Sequence, residues 1–321
     1  MRIAVTFALL LGCASSHVPI TPLPPVESGV EAVAPIGAHC GSPPAVSAVG
    51  FRHEKSRVLS HGHAEHRGDD LMAIVGEDQR ITGRLGYTHA DRPIADEAVE
   101  ILACVETSWV SLGTTRTADD GRFALVVASA RGIAAGLTEL YLRVPGDATG
   151  AAFLAFVAPR GAPIVIVDVD GTLTASENAI VTRGLIGRAI AAQPDAPAAL
   201  AHAPGQIVYV TARGEHFANA TRRWLDEHGF PRGPTRFAPG LFARPGAASL
   251  TAKKRVLAEL AGRFTFAAGI GNRASDVAAY REAGIAPEHI YMKLPQFEQE
   301  LAPLLAAHAA VGFSSYAALA F

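Results

Sequence analysis

Pro163-Ile164-Val165-Ile166-Val167-Asp168-Val169-Asp170-Gly171-Thr172-Leu173-Thr174 is a hydrophobic strand that ends in two aspartates and a glycine turn. Ile164 to Val167 form an unbroken β-branched run, the pattern of a parallel strand covered on both faces. The carboxyl end of such a strand is where open α/β sheets place ligands. Gly171 permits a sharp turn there and leaves nearby backbone N–H groups for phosphate oxygens. The alternative for the run taken alone is a surface Asp-Gly turn after a core strand.

Three further stretches follow in a fixed order. The apolar run Gln206 to Val210 leads into Thr211-Ala212-Arg213. Thr251 to Leu260 has helical spacing, with Val256, Leu257 and Leu260 on one face and Lys253 and Lys254 near its start. Phe264 to Ile270 then leads into Gly271-Asn272-Arg273-Ala274-Ser275-Asp276. By itself that last stretch is also a helix N-terminal loop, with Asp276 in the first turn favoured by the macrodipole.

Taken together, these four stretches resemble the haloacid dehalogenase (HAD) superfamily of phosphohydrolases. The resemblance implies an α/β HAD-like Rossmannoid domain with a parallel sheet. It makes Asp168 the nucleophile that forms an aspartyl-phosphate, and Asp170 the group that protonates the leaving alcohol and then activates water. Thr211 would hydrogen-bond the phosphoryl group, and Lys253, or its neighbour Lys254, would neutralise its charge. Gly171, Thr172 and Arg213 would line the phosphate. Mg²⁺ is the implied cofactor, held by Asp168, the Asp170 carbonyl, Asn272 and Asp276, a hard-oxygen set suited to octahedral magnesium. Asn272 stands where the family commonly has aspartate, so the site carries one charge fewer.

Gly271-Asn272-Arg273-Ala-Ser275-Asp276, together with Thr221-Arg222-Arg223-Trp224-Leu225 and Gly229-Phe-Pro231-Arg232-Gly233-Pro234, resembles more narrowly the lipin type of phosphatidate phosphatase. The similarity spans residues 161 to 300 and implies Mg-dependent removal of phosphate from phosphatidate or a related lipid phosphate. Hydrolysis of other phosphomonoesters, or a sensor that binds phosphatidate without cleaving it, are the alternatives. Only 38 residues separate Thr172 from Thr211, and 39 separate Arg213 from Lys253. Neither interval holds a folded cap, which needs roughly 50 residues, so an open site with no large cap is expected.

The chain has a formal charge of −2, which excludes a global nucleic-acid footprint. Residues 213 to 255 nevertheless hold nine Lys or Arg against three acids, a patch that would attract an anionic lipid face. At the N-terminus, Met1-Arg2 and the apolar run Ile3 to Gly12 read as a secretory signal, and Leu10-Leu11-Gly12-Cys13 resembles a bacterial lipobox. That reading makes residues 1–13 a signal peptide, lipidates Cys13, and places the protein at a membrane of a bacterial cell envelope, facing the periplasm or exterior. Cys40 and Cys104 remain, either as one disulfide or as two free thiols.

Residues 14–78 read as a tether, partly disordered, rich in Pro, Gly and Ala early on and carrying His53, His61, His63 and His66 without fixed metal-ligand spacing. Short alternating runs between residues 79 and 159, separated by turns such as Asp119-Asp120-Gly121, predict a small β-sandwich of immunoglobulin-like or transthyretin-like type. Residues 160–321 complete the HAD-like domain, with a helix expected over Leu301 to Val311. The expected partners are a lipid phosphate and a membrane surface; the sequence assigns no oligomeric state.

Overall fold

The computed structural model describes residues 40–175, 190–239 and 247–321. Cys13 and the expected signal segment lie outside them. Among the described residues no helix is long and apolar enough to cross a membrane.

A sandwich comes first. Strands β1 (Arg67–Gly68), β3 (Gln79–Arg84) and β8 (Arg122–Val127) form an antiparallel sheet, ordered β1-β3-β8. It faces a five-stranded sheet, β2-β10-β9-β6-β7, built from β2 (Leu71–Ile74), β6 (Ala98–Val105), β7 (Ser108–Arg116), β9 (Gly136–Arg143) and β10 (Gly150–Ala158). A two-stranded pair, β4 (Gly86–Tyr87) and β5 (Arg92–Pro93), completes this half. Ile81, Ile101, Leu140, Leu142 and Phe153 of these strands, with Leu85 just past β3, fill the space between the sheets.

The sandwich starts earlier than residue 79. β1, β2 and the helix Glu54–Leu59 fall inside the expected tether. β2 pairs in parallel with β10, with Leu71 opposite Ala155, so a four-residue apolar run is recruited by a strand far along the chain. Cys40 and Cys104 are joined by a disulfide that closes a separation of 64 residues. The four histidines do not converge: His66 is buried against Tyr87, His53 meets Asp96, and His61 contacts the carbonyl of Val58.

The second half is a six-stranded, wholly parallel sheet in the order β13-β12-β11-β14-β15-β16. Its strands are β11 (Pro163–Val167), β12 (Gln206–Gly214), β13 (Thr235–Ala238), β14 (Thr265–Gly271), β15 (Ile290–Lys293) and β16 (Val311–Phe313). β11 lies inside the sheet, which is why Ile164 to Val167 are all fully buried. The expected C-terminal helix covers only Glu298–Ala306, and Val311 to Phe313 instead supply the edge strand. Between Thr172 and Thr211, and between Arg213 and Lys253, the described residues hold helices Ala196–Leu200 and Ala218–Glu227, β13 and the start of helix Ala247–Leu260, without a folded cap. Residues 176–189 and 240–246 of those intervals lie outside the described set.

The two halves share a core. Met72, Ile74, Phe156 and Ala158 of the sandwich pack in one apolar cluster with Ile164, Ile166, Val256 and Phe264 of the parallel-sheet domain. At the seam, Asp70 is fully buried and accepts hydrogen bonds from Leu154 N and Thr235 N, both at 2.7 Å, and pairs with Arg222 at 3.0 Å. A buried carboxylate needs that many donors to offset its lost hydration.

Candidate functional site

The parallel topology brings the ends of β11, β12 and β14 side by side, and with them the four sequence stretches. Asp168, just past β11, is tied to the neighbouring strand by its N–H, which donates to the Ile270 carbonyl at 3.0 Å. Its side chain is buried; Oδ1 accepts from Lys253 Nζ at 2.9 Å and Oδ2 from Thr172 Oγ1 at 3.0 Å. Lys253 also donates to Asp276, so one ammonium bridges two carboxylates. Burial pushes Asp168 above the ordinary carboxylate range, opposed by the Lys253 ammonium and reinforced by Asp276. Burial disfavours the charged form of Lys253, yet the two facing carboxylates outweigh it and hold the amine well above its usual value.

Lys253, not Lys254, faces this site. One residue along a helix turns the side chain by about 100°, and Lys254 is paired outside with Glu282 at 2.5 Å. Asp276 is fixed by its second oxygen, which accepts from the N–H groups of Asn272 at 3.0 Å and Arg273 at 3.1 Å. That turn needs Gly271, because a Cβ there would lie 2.5 Å from Asp276 Oδ2.

Asp170 is arranged differently. Arg213 grips it with a two-pronged fork, Nε to Oδ2 at 2.8 Å and Nη2 to Oδ1 at 2.7 Å, and Thr211 Oγ1 adds a third contact at 3.3 Å. The guanidinium is itself anchored, giving Nη1 to Thr221 Oγ1 at 3.0 Å. Thr211 and Arg213, expected on the phosphate, therefore hold Asp170. The Gly171 N–H is also committed, donating to Thr174 Oγ1 at 2.9 Å, while the N–H groups of Asp170 and Thr172 have no acceptor among the described residues. In the sequence Thr221 stands within a quoted motif but has no assigned role, and Tyr316 is not singled out; the Tyr316 hydroxyl donates to the Thr172 carbonyl at 3.0 Å and supports the loop from the far end of the chain.

The donors expected for magnesium are all oxygens, those of Asp168, the Asp170 carbonyl, Asn272 and Asp276, and their chemistry fits a hard divalent cation. Asn272 and Asp276 are buried beside Asp168, and Lys253 is a cation that Asp168 and Asp276 already share.

Part of the basic segment 213–255 turns inward. Arg222 pairs with Asp70 at 3.0 Å, Arg232 lies 3.6 Å from Glu139, and Arg213 is buried in the site. Arg222 and Arg232 join the two halves and Arg213 serves the site, while Arg223 and Arg255 are exposed.

Comparison with known proteins gives matches to both halves. Residues 165–293 match the family model described as "PITM 1-3, LNS2 domain", and residues 64–157 match "PITM 1-3, beta-sandwich domain". Among curated proteins, the chain is 28% identical over 233 residues to membrane-associated phosphatidylinositol transfer protein 1 of Rattus norvegicus, covering 71% of this chain and 18% of that protein. It is 29% identical over 268 residues to membrane-associated phosphatidylinositol transfer protein 2 of Mus musculus, covering 80% and 19%. Protein retinal degeneration B of Drosophila melanogaster is 25% identical over 246 residues, covering 75% and 19%. The chain thus spans about a fifth of the length of these relatives. All three are from eukaryotes, which overturns the placement at a bacterial cell envelope, and the first two are named as membrane-associated transfer proteins where the motif resemblance pointed to lipin phosphatases. Sheet topology and family models agree on one organisation: a β-sandwich domain followed by an LNS2 domain similar to those of PITM 1-3.

Proposed function

We propose that this chain recognises the phosphate of an anionic phospholipid, of the phosphatidate type, and holds it without hydrolysis. The fork from Arg213 onto Asp170 carries the reading. Release of a leaving alcohol needs a proton delivered by a second carboxyl group. Both oxygens of Asp170 are engaged by the Arg213 guanidinium, at 2.7 and 2.8 Å, so that carboxyl group is committed to a partner within the protein. The N–H groups of Asp170 and Thr172 and the Lys253 ammonium instead form an anion-binding set. The relatives named as phosphatidylinositol transfer proteins support a phospholipid ligand. Magnesium, when bound, would supply further positive charge toward the phosphate through Asp168, Asn272 and Asp276.

A second reading, Mg-dependent hydrolysis through an aspartyl-phosphate, is favoured by one observation: Asp168, Lys253 and Asp276 are assembled within hydrogen-bond reach at the strand ends. One experiment divides the two. The purified chain is mixed with phosphatidylcholine vesicles, with and without phosphatidate, in the presence of Mg²⁺, and both co-sedimentation and phosphate release are measured. The binding reading expects phosphatidate-dependent sedimentation with no phosphate released. Turnover that disappears in Asp168→Asn would establish the second reading and end the first.

A further inference from the structure

A cleft of about 630 Å³ runs along the seam between β1, β2 and β3 of the sandwich and β13 and helix Ala247–Leu260 of the LNS2 domain. None of Asp168, Asp170, Thr211, Arg213, Lys253 or Asp276 lines it. Among the described residues seven arginines and five carboxylates do, an excess of two positive charges.

The carboxylates are largely committed. Asp70 serves Arg222 and Thr235, Glu215 holds Arg67 and Arg122, Asp69 accepts from the Thr82 hydroxyl, and Asp78 accepts from the Ser129 amide. Several guanidinium groups are not matched. Among the described residues Arg236 donates to carbonyl oxygens, those of Asp70 at 2.7 Å and Thr235 at 3.2 Å, and burial disfavours its charge, opposed in part by Glu259, Asp70 and Asp69. The Nη1 of Arg222 is buried with no hydrogen-bond partner. Arg80 and Arg255 are exposed at the cleft, and Arg263 gives its Nη2 to the Met72 carbonyl at 2.9 Å; none of the three has a carboxylate within ion-pair distance among the described residues. A desolvated guanidinium without an anion is costly, and its planar fork matches phosphate geometry.

We infer that this cleft is a second anion site, separate from the Asp168 site, that takes a phosphate monoester dianion. Two negative charges equal the excess of the lining. The same dianion is presented by a soluble phosphate ester and by a lipid headgroup. Because the lining comes from both halves, a bound dianion would also hold the sandwich against the LNS2 domain.

Calorimetric titration of the full chain with inorganic phosphate tests this, beside the double variant Arg80→Gln, Arg255→Gln. Both side chains are exposed, so the fold should be kept, which an unchanged thermal midpoint verifies. The wild type should bind more than one phosphate per chain, and the double variant should weaken one of those events by about tenfold or more, the loss expected for charge-assisted hydrogen bonds. Glycerol 3-phosphate, and phosphatidylcholine vesicles with or without phosphatidate, distinguish the sources. A response to glycerol 3-phosphate assigns a soluble ester, and a variant-sensitive response confined to phosphatidate vesicles assigns a headgroup. A single phosphate per chain, with wild type and variant indistinguishable in every arm, would overturn the site.

Discussion

Glu215 Oε1 accepts a hydrogen bond from Arg122 Nη2 at 2.6 Å, and through it the sandwich grips the strand end that carries Arg213. Arg67 adds a second contact at 3.3 Å. Burial would raise the Glu215 carboxyl, but the two guanidinium groups prevail and hold it below the ordinary glutamate range. The Thr211–Arg213 segment is thus oriented partly from outside its own domain.

Replacing Glu215 with glutamine should therefore weaken binding at the Asp168 site by about threefold to tenfold, the range of a half-exposed ion pair of about 1 kcal/mol. Arg122→Gln should do the same, and the double variant should lose little more, because the two residues share one interaction. The sign with pH follows from the depressed carboxyl: its contribution is present above the unfolded glutamate range and is lost as pH falls through the folded value. Vesicle titrations of the four proteins check this.

Asp170→Asn should cost about 2 kcal/mol of stability, since it leaves Arg213 buried without a counter-charge. The cost should fall short of that for a fully buried pair, because the Asp170 side chain is 22% exposed. Urea denaturation gives the value, and a midpoint equal to the wild type would contradict the fork as a structural element.

His66 makes the fold acid-sensitive. Burial lowers its pKa to about 4, with Asp147 and Asp91 only partly opposing that. The unfolded chain, titrating near 6.5, binds the proton first. Stability is therefore full above pH 6.5 and falls as pH drops toward 4, by about 3 kcal/mol in all. Urea midpoints across that window should converge for wild type and His66→Gln as the pH falls.

Asp70→Ala should be the most damaging single change at the seam, at about 3 kcal/mol or more, since it strands Arg222 and the Thr235 and Leu154 amides together. Its loss should also separate the melting of the two halves, visible as two calorimetric transitions in place of one.

β11 was legible because a β-branched run ending in Asp-x-Asp-Gly is a local signal, and the order of the later motifs followed from the chain itself. The two cysteines left after Cys13 read either as a disulfide or as free thiols, and the fold brings them together across a separation of 64 residues. The choice between Lys253 and Lys254 was not legible, since it depends on helix phase against Glu282, which lies on another helix. Nor was the role of Arg213, whose fork reaches across a separation of 43 residues. β2 escaped because four apolar residues are too short a run to carry a period, and their parallel pairing with β10 makes them a strand. The charge of segment 213–255 was read correctly, but its direction depended on Asp70 and Glu139 in the other half.

The bond between Cys40 and Cys104 decides how the molecule bears load. Cys104 lies on β6, between β9 and β7 in the five-stranded sheet. Tension applied to the chain ahead of Cys40 therefore enters that sheet directly at β6, while the intervening 64-residue separation, with the helix Glu54–Leu59 and strands β1 to β5, stays slack. In the reduced chain the same pull would first break the hydrogen bonds of Pro44, Val49 and Gly50 to Arg143, Pro145 and Gly146, and only then reach that helix and β1. Redox state thus selects which part of the protein yields first under force.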